Sequence, residues 1–180
     1  LAHNIPVDGD VLGVVVMKLV DARSAGITFT ADPVTGDRTR IIIDASWGIG
    51  EGVVSSKVEV DRFIINKETL EVIEKTIGKK TFCIASGKEG TEERPVPPEK
   101  QSVPCLSDEE IKEIAKLGKS LEERLGQPQD IEWAIDPDLP FPNNLFVFQT
   151  RPEKFATEKA TTALDRLADI MAKRASRGGA

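Results

Sequence analysis

Between Ser107 and Pro128 both ends of one helix are written into the chain. Ser107 followed three residues later by Glu110 forms a capping box, and Ile111, Ile114, Ala115, Leu121 and Leu125 make an apolar stripe before Gly126 and Pro128 stop the run. The spacing predicts a helix over residues 108–125, whose stripe has to be buried against something. What precedes it is strand-like. Val11–Val20, Gly26–Thr30, Arg40–Ala45 and Arg62–Asn66 are rich in β-branched residues and bounded by Gly, Pro and Asp. The turn Asp32-Pro33-Val34-Thr35-Gly36-Asp37 is suited to closing a hairpin, so the expected class is α+β, an antiparallel β-sheet with packed helices.

The remaining segments are read from the same signals. Lys67–Ile77 is expected as a strand, and the Gly-, Glu- and Pro-rich stretch Gly87–Pro104 as an extended surface connection and internal boundary. Asp130–Ile135 and Leu145–Thr150 are short strands across a Pro- and Asn-rich loop, long enough to pair as a wide hairpin. Helical spacing returns in Thr157–Ala175. We expect residues 1–153 to form one subdomain and 154–180 a helical tail.

Composition removes several function classes. With 24 basic against 30 acidic side chains, the net charge of −6 provides no broad cationic surface for nucleic acid or anionic lipid. The one long apolar run, Val11–Val20, contains Lys18 and is too short to span a bilayer, so a cytoplasmic protein without membrane or nucleic-acid partners is expected. Cys83 and Cys105 lie far apart with no neighbouring ligand at metal spacing and read as ordinary reduced thiols. His3 is the only histidine, which leaves no imidazole within the fold for a Ser-His-Asp triad, a Cys-His pair or a His-rich zinc site. Carboxylates, amides and cations have to carry any reaction.

Strand parity supplies such a set. Asp130, Glu132 and Ala134 share one face of their strand, and Leu145, Val147, Gln149 and Arg151 share one face of the next. If the strands pair, two acids meet an amide and a guanidinium. A carboxylate and an amide oxygen are hard ligands for Mg²⁺, and a guanidinium grips terminal phosphate oxygens, a grouping suited to a magnesium nucleotide. The same residues would equally decorate the solvent face of an edge hairpin. Gly48-Ile49-Gly50-Glu51-Gly52 reads either as a backbone approach to a ligand or as a tight turn, and Asp21 and Arg23 as surface ion-pair or turn residues.

Gln127-Pro128-Gln129-Asp130-Ile131-Glu132-Trp133-Ala134, followed by residues 145–152 (LFVFQTRP), resembles the closing signature of the ATP-grasp domain of the phosphoenolpyruvate synthase/pyruvate phosphate dikinase family. Residues 25–36 (AGITFTADPVTG) and 44–52 (DASWGIGEG) resemble two further signatures of that family, in the expected order. The resemblance covers about Val11 to Glu153 and implies the second half of an ATP-grasp domain. It implies that ATP and Mg²⁺ are bound, with Glu132 and Gln149 on the metal, Arg151 on the transferred phosphoryl group and Asp130 supporting the site. The segment matching the family's adenine-pocket strand carries Met17 and Lys18, with Met17 where the family commonly has Gln.

By the same resemblance the chain is part of a dikinase-type phosphotransferase. It would start transfer to a phosphohistidine on another domain or subunit and so to pyruvate or a phenolic acceptor, releasing AMP and phosphate. The implied partners are the earlier half of the ATP-grasp domain and the phosphohistidine domain or subunit. The start at Leu1 reads as an internal boundary, and the tail as the close of a separate subunit, an organisation similar to that of phenylphosphate synthase. The competing expectation is a noncatalytic interaction or regulatory module that keeps the half-fold, for which Met17 is the main support.

Overall fold

The computed structural model describes residues 14–17, 19–88 and 90–155. Its centre is a six-stranded antiparallel sheet built from β1 (Ser24–Phe29), β2 (Arg40–Trp47), β3 (Asp61–Asn66), β4 (Val72–Thr76), β7 (Gln129–Ile135) and β8 (Leu145–Pro152). The spatial order is β4-β3-β2-β1-β7-β8. A separate two-stranded hairpin consists of β5 (Phe82–Gly87) and β6 (Gly90–Pro95). Two helices complete the described fold, α1 (Glu51–Val54) and α2 (Asp108–Leu125).

Both faces of the sheet are covered in the middle, so β2 reads Ile41-Ile42-Ile43 in an unbroken run instead of alternating. On one face Ile41, Ile43, Phe63, Ile65, Ile131, Trp133 and Ile135 pack on Ile111, Ile114 and Ala115 of α2. On the other, Ala25 and Ala134 meet Ile49, Val53 of α1, Val58 and Ile84 of β5. Trp133 lies across β1, its indole N–H donating to Thr28 Oγ1 at 2.8 Å. Gly26 makes that possible, since a Cβ there would stand 2.6 Å from the indole and 2.3 Å from the Asp44 carbonyl oxygen.

Helix α2 has the predicted limits and caps. The Glu110 amide donates to Ser107 Oγ while the Ser107 amide donates to Glu110 Oε2, and the Gly126 amide closes the last turn on the Glu122 carbonyl. Glu110 also accepts Arg23 Nη2 at 2.8 Å on each oxygen, so Arg23 is a structural ion-pair residue tying the start of β1 to α2. The β1–β2 turn is held by Asp32, whose Oδ1 accepts the amides of Val34 and Thr35 at 2.8 and 3.1 Å.

Several expectations are corrected. Within the described residues, Val14–Met17, Leu19 and Val20 belong to no strand, and Val16 is 93% exposed. A valine-rich run becomes a strand only where a neighbouring edge accepts its backbone hydrogen bonds, and no described strand pairs with these residues. Lys67–Ile77 is a turn followed by β4, and the stretch Gly87–Pro104 is largely the second strand of a hairpin and a short 3₁₀ turn, Pro98–Lys100. Because β6 is exposed along its whole length, it carries no hydrophobic period to reveal it. The expected helix 157–175, and with it the tail from residue 156 onward, lies outside the described residues. Both cysteines are free. Among the described residues no helix is long and apolar enough to cross a membrane.

Candidate functional site

β7 and β8 pair antiparallel, which sets Asp130 opposite Arg151 and Glu132 opposite Gln149 on one face. Arg151 donates through Nε to Asp130 Oδ2 at 2.8 Å, and its Nη2 lies 2.7 Å from the same oxygen. That hydrogen bond raises the Arg151 pKa further, and the guanidinium, 58% exposed, is a permanent cation at the surface of the sheet. Gln149 Nε2 approaches Glu132 Oε1 at 3.4 Å, a weak contact.

The pairing departs from strict alternation at one place. A bulge opposite the Glu132–Trp133 step gives Trp133↔Val147 and Ala134↔Phe146, leaving Phe148 as the extra residue. Leu145 and Val147 therefore share the face of Trp133, not that of Gln149 and Arg151 as simple parity predicted. Phe148 instead packs with the cluster around Ala134 and Ile84. The four polar site residues are unaffected because they lie on one side of the bulge.

A cleft of about 430 Å³ opens beside the Asp130–Arg151 pair. Its apolar lining is Ile27 and Phe29 of β1, Val54 of α1, Pro33 of the β1–β2 turn and Pro152 of β8, and its polar lining is Asp130, Arg151, Glu153 and Lys154. Apolar lining with a few convergent polar groups is the usual construction of a small-molecule site. Asp130 Oδ1 and both carboxyl oxygens of Glu153 are buried with no hydrogen-bond partner. Burial pushes the Glu153 carboxyl up to about 7. Glu153 and Lys154 did not emerge from the sequence as site residues, although parity continued from Arg151 places Glu153 on the same side.

Of the other sequence candidates, Met17 is 57% exposed and is absent from the cleft lining, while Lys18 lies outside the described residues. The glycine segment 48–52 bridges β5 at Gly48 and leads into α1 at Glu51. The Gly48 amide donates to Arg23 O and the Ile49 amide to Ile84 O, each at 2.9 Å, so these two amides are committed within the fold.

Among the described residues no group of three or more His, Cys, Asp or Glu side chains is arranged to hold a metal by itself. The donor set nevertheless fits Mg²⁺ as bound with a nucleotide, because that ion keeps waters and phosphate oxygens in its shell and needs only one or two protein ligands. Glu132 and Gln149 offer hard oxygen atoms on adjacent strands of one face.

Residues 2–170 match the family described as Pyruvate phosphate dikinase, AMP/ATP-binding domain. A probable phosphoenolpyruvate synthase of Staphylothermus marinus is 36% identical, over 96% of this chain and 23% of that protein. A probable phosphoenolpyruvate synthase of Pyrococcus horikoshii is 43% identical over 84% of the chain and 19% of its own length. Rifampicin phosphotransferase of Bacillus cereus is 38% identical over 77% of the chain and 15% of its own length. The chain thus spans less than a quarter of the length of each of these relatives. The match along nearly the whole chain and the identities to these relatives show that it belongs to the pyruvate phosphate dikinase AMP/ATP-binding domain family.

Proposed function

We propose that residues 1–153 are the second half of an ATP-grasp domain that holds MgATP for dikinase-type phosphoryl transfer. The observation that carries this reading is the pairing of Asp130 with Arg151 and Glu132 with Gln149 on one face of β7 and β8, beside a cleft with apolar walls. Asp130 fixes the direction of the Arg151 guanidinium, whose remaining N–H groups are left for phosphate oxygens. Glu132 and Gln149 would hold Mg²⁺, which when bound neutralises charge on the nucleotide phosphates. Ile27 and Phe29 would give the cleft beside Arg151 an apolar wall.

None of these side chains is a nucleophile, and none has to be, because phosphoryl transfer is promoted by positioning and charge neutralisation. The β-phosphoryl group would pass to a histidine on another domain or subunit as its bond to AMP breaks, with water taking the γ-phosphoryl group as phosphate, and then to pyruvate or another acceptor. The earlier half of the ATP-grasp domain would close the site from the opposite side.

Calorimetric titration with MgATP tests this, using the chain alone and together with the earlier half of the domain. The assembled pair is expected to bind MgATP, Arg151→Ala to weaken binding about tenfold or more, as for loss of a charge-assisted contact, and Glu132→Ala to abolish turnover. A demonstrably assembled pair that does not bind nucleotide would favour a noncatalytic scaffold.

A further inference from the structure

Of the two carboxylates that line the cleft, Glu153 is the less satisfied. It is 8% exposed, and neither oxygen accepts a hydrogen bond. Its backbone is fixed, the amide donating to the Pro128 carbonyl at 2.9 Å. Being two residues beyond Arg151, it projects to the same side, and it lines the cleft with Asp130, Arg151 and Lys154. Asp130 is 7% exposed and also keeps one oxygen without a partner. Two buried carboxyls lie in one cleft whose guanidinium already serves Asp130, and Lys154 makes no ion pair with Glu153, so burial favours a proton on Glu153.

We propose that Glu153 is a positioning residue for Arg151: carrying its proton it leaves the guanidinium directed by Asp130 toward the phosphate, and deprotonated it competes for that guanidinium and repels the phosphate. The inference rests on the nucleotide reading given above and adds a residue to it.

The surroundings favour the neutral form. Burial acts most strongly, and Asp130 from β7 and Asp32 from the β1–β2 turn add negative charge. Opposing them are the Ala31 backbone amide, which faces the carboxyl outside normal hydrogen-bond geometry, and Lys67, already paired with Glu122 at 2.9 Å. Arg151 is held by Asp130. Lys154 lies at the cleft as well and is the free cation closest in sequence. Loss of the Glu153 proton near neutral pH therefore adds a negative charge where the phosphates of a nucleotide would lie.

The test is MgATP affinity at pH 6 and pH 8 in the protein with its complete nucleotide site, for wild type and Glu153→Gln, with folding checked by circular dichroism. Wild-type affinity is expected to fall about three- to tenfold between the two pH values beyond any change that Glu153→Gln still shows. The variant should hold at both pH values the affinity that wild type has at pH 6. By reciprocity, MgATP should raise the titration midpoint of the Glu153 carboxyl in isotope-edited NMR of the wild type, a readout that needs no variant.

An unchanged pH dependence in Glu153→Gln, or a midpoint that nucleotide does not move, overturns the role of Glu153 while the nucleotide site stands. Absence of MgATP binding by wild type at both pH values overturns the nucleotide reading and this inference together.

Discussion

At the residue scale the site combines groups whose partners are visible with one whose partner is missing. Glu153 carries a stability consequence that is independent of any ligand. Its carboxyl is raised from 4.5 to about 7 on folding, so between these values the folded state binds more proton than the unfolded one and stability falls as pH rises. The penalty is absent below the unfolded value and complete above the folded one. Glu153→Gln is therefore expected to unfold at nearly the wild-type urea midpoint at pH 4, and at pH 8.5 to be more stable by roughly 1–2 kcal/mol, the shift being discounted for solvent at the cleft mouth. A variant equally or less stable than wild type at pH 8.5 would show that the carboxyl finds a donor in solution. Asp130, Glu132, Gln149 and Arg151 were legible in the sequence because strand period places alternate residues on one face, and the bulge falls outside the segment that holds them. Glu153 was not, since a carboxylate just past a strand's last pair, here Gln129 with Pro152, reads as solvent-exposed until the burial of its surroundings is known.

At the scale of elements, legibility followed the strength of the local signal. Helix α2 was readable to the residue because its caps are short-range chemistry, and the β1–β2 turn because Asp32 bonds its own neighbours. The β5–β6 hairpin was hidden in a Gly- and Pro-rich composition, and its attachment depends on contacts distant in sequence. Gly48 makes a parallel bridge with Ile84, and the Ile49 amide bonds the Ile84 carbonyl. Gly48 has φ of 82°, and a Cβ on it would stand 2.1 Å from the Ile84 carbonyl oxygen. Gly48→Ala thus combines a left-handed backbone with a backbone clash, and the hairpin must move away from the sheet to relieve it. A loss of about 2–4 kcal/mol is expected in urea unfolding. Faster amide hydrogen exchange should accompany it, concentrated in β5 and β6 and sparing α2; exchange raised uniformly across the sheet would contradict this local attachment.

At the scale of the whole molecule, one buried ion pair joins pieces that the two hydrophobic clusters hold separately. Asp61 at the start of β3 and Lys80 just before β5 are both fully buried and bonded to each other. Asp61 also accepts the amides of Gly78 at 3.1 Å and Cys105 at 2.7 Å, and Lys80 Nζ donates to the Gly78 carbonyl at 2.9 Å. One carboxylate therefore fixes the exit from β4, the entry to the hairpin and the approach to α2, so that the helix-covered face and the hairpin-covered face are in register. A pair buried this deeply gives weak net stabilisation when intact but strong destabilisation when halved, because the remaining charge has no water and no partner. Lys80→Met is expected to cost about 3–5 kcal/mol, with little dependence on ionic strength since salt does not reach the pair. Adding Asp61→Asn to Lys80→Met should restore part of that loss by removing the stranded charge, and only part, because a side-chain amide has one acceptor oxygen for the two backbone amides that Asp61 serves. Urea unfolding of both single variants and the double variant closes the cycle. If the double variant were no more stable than Lys80→Met, the cost would lie in lost packing of the lysine stem, and the carboxylate would not be the group that aligns the two faces behind Asp130 and Arg151.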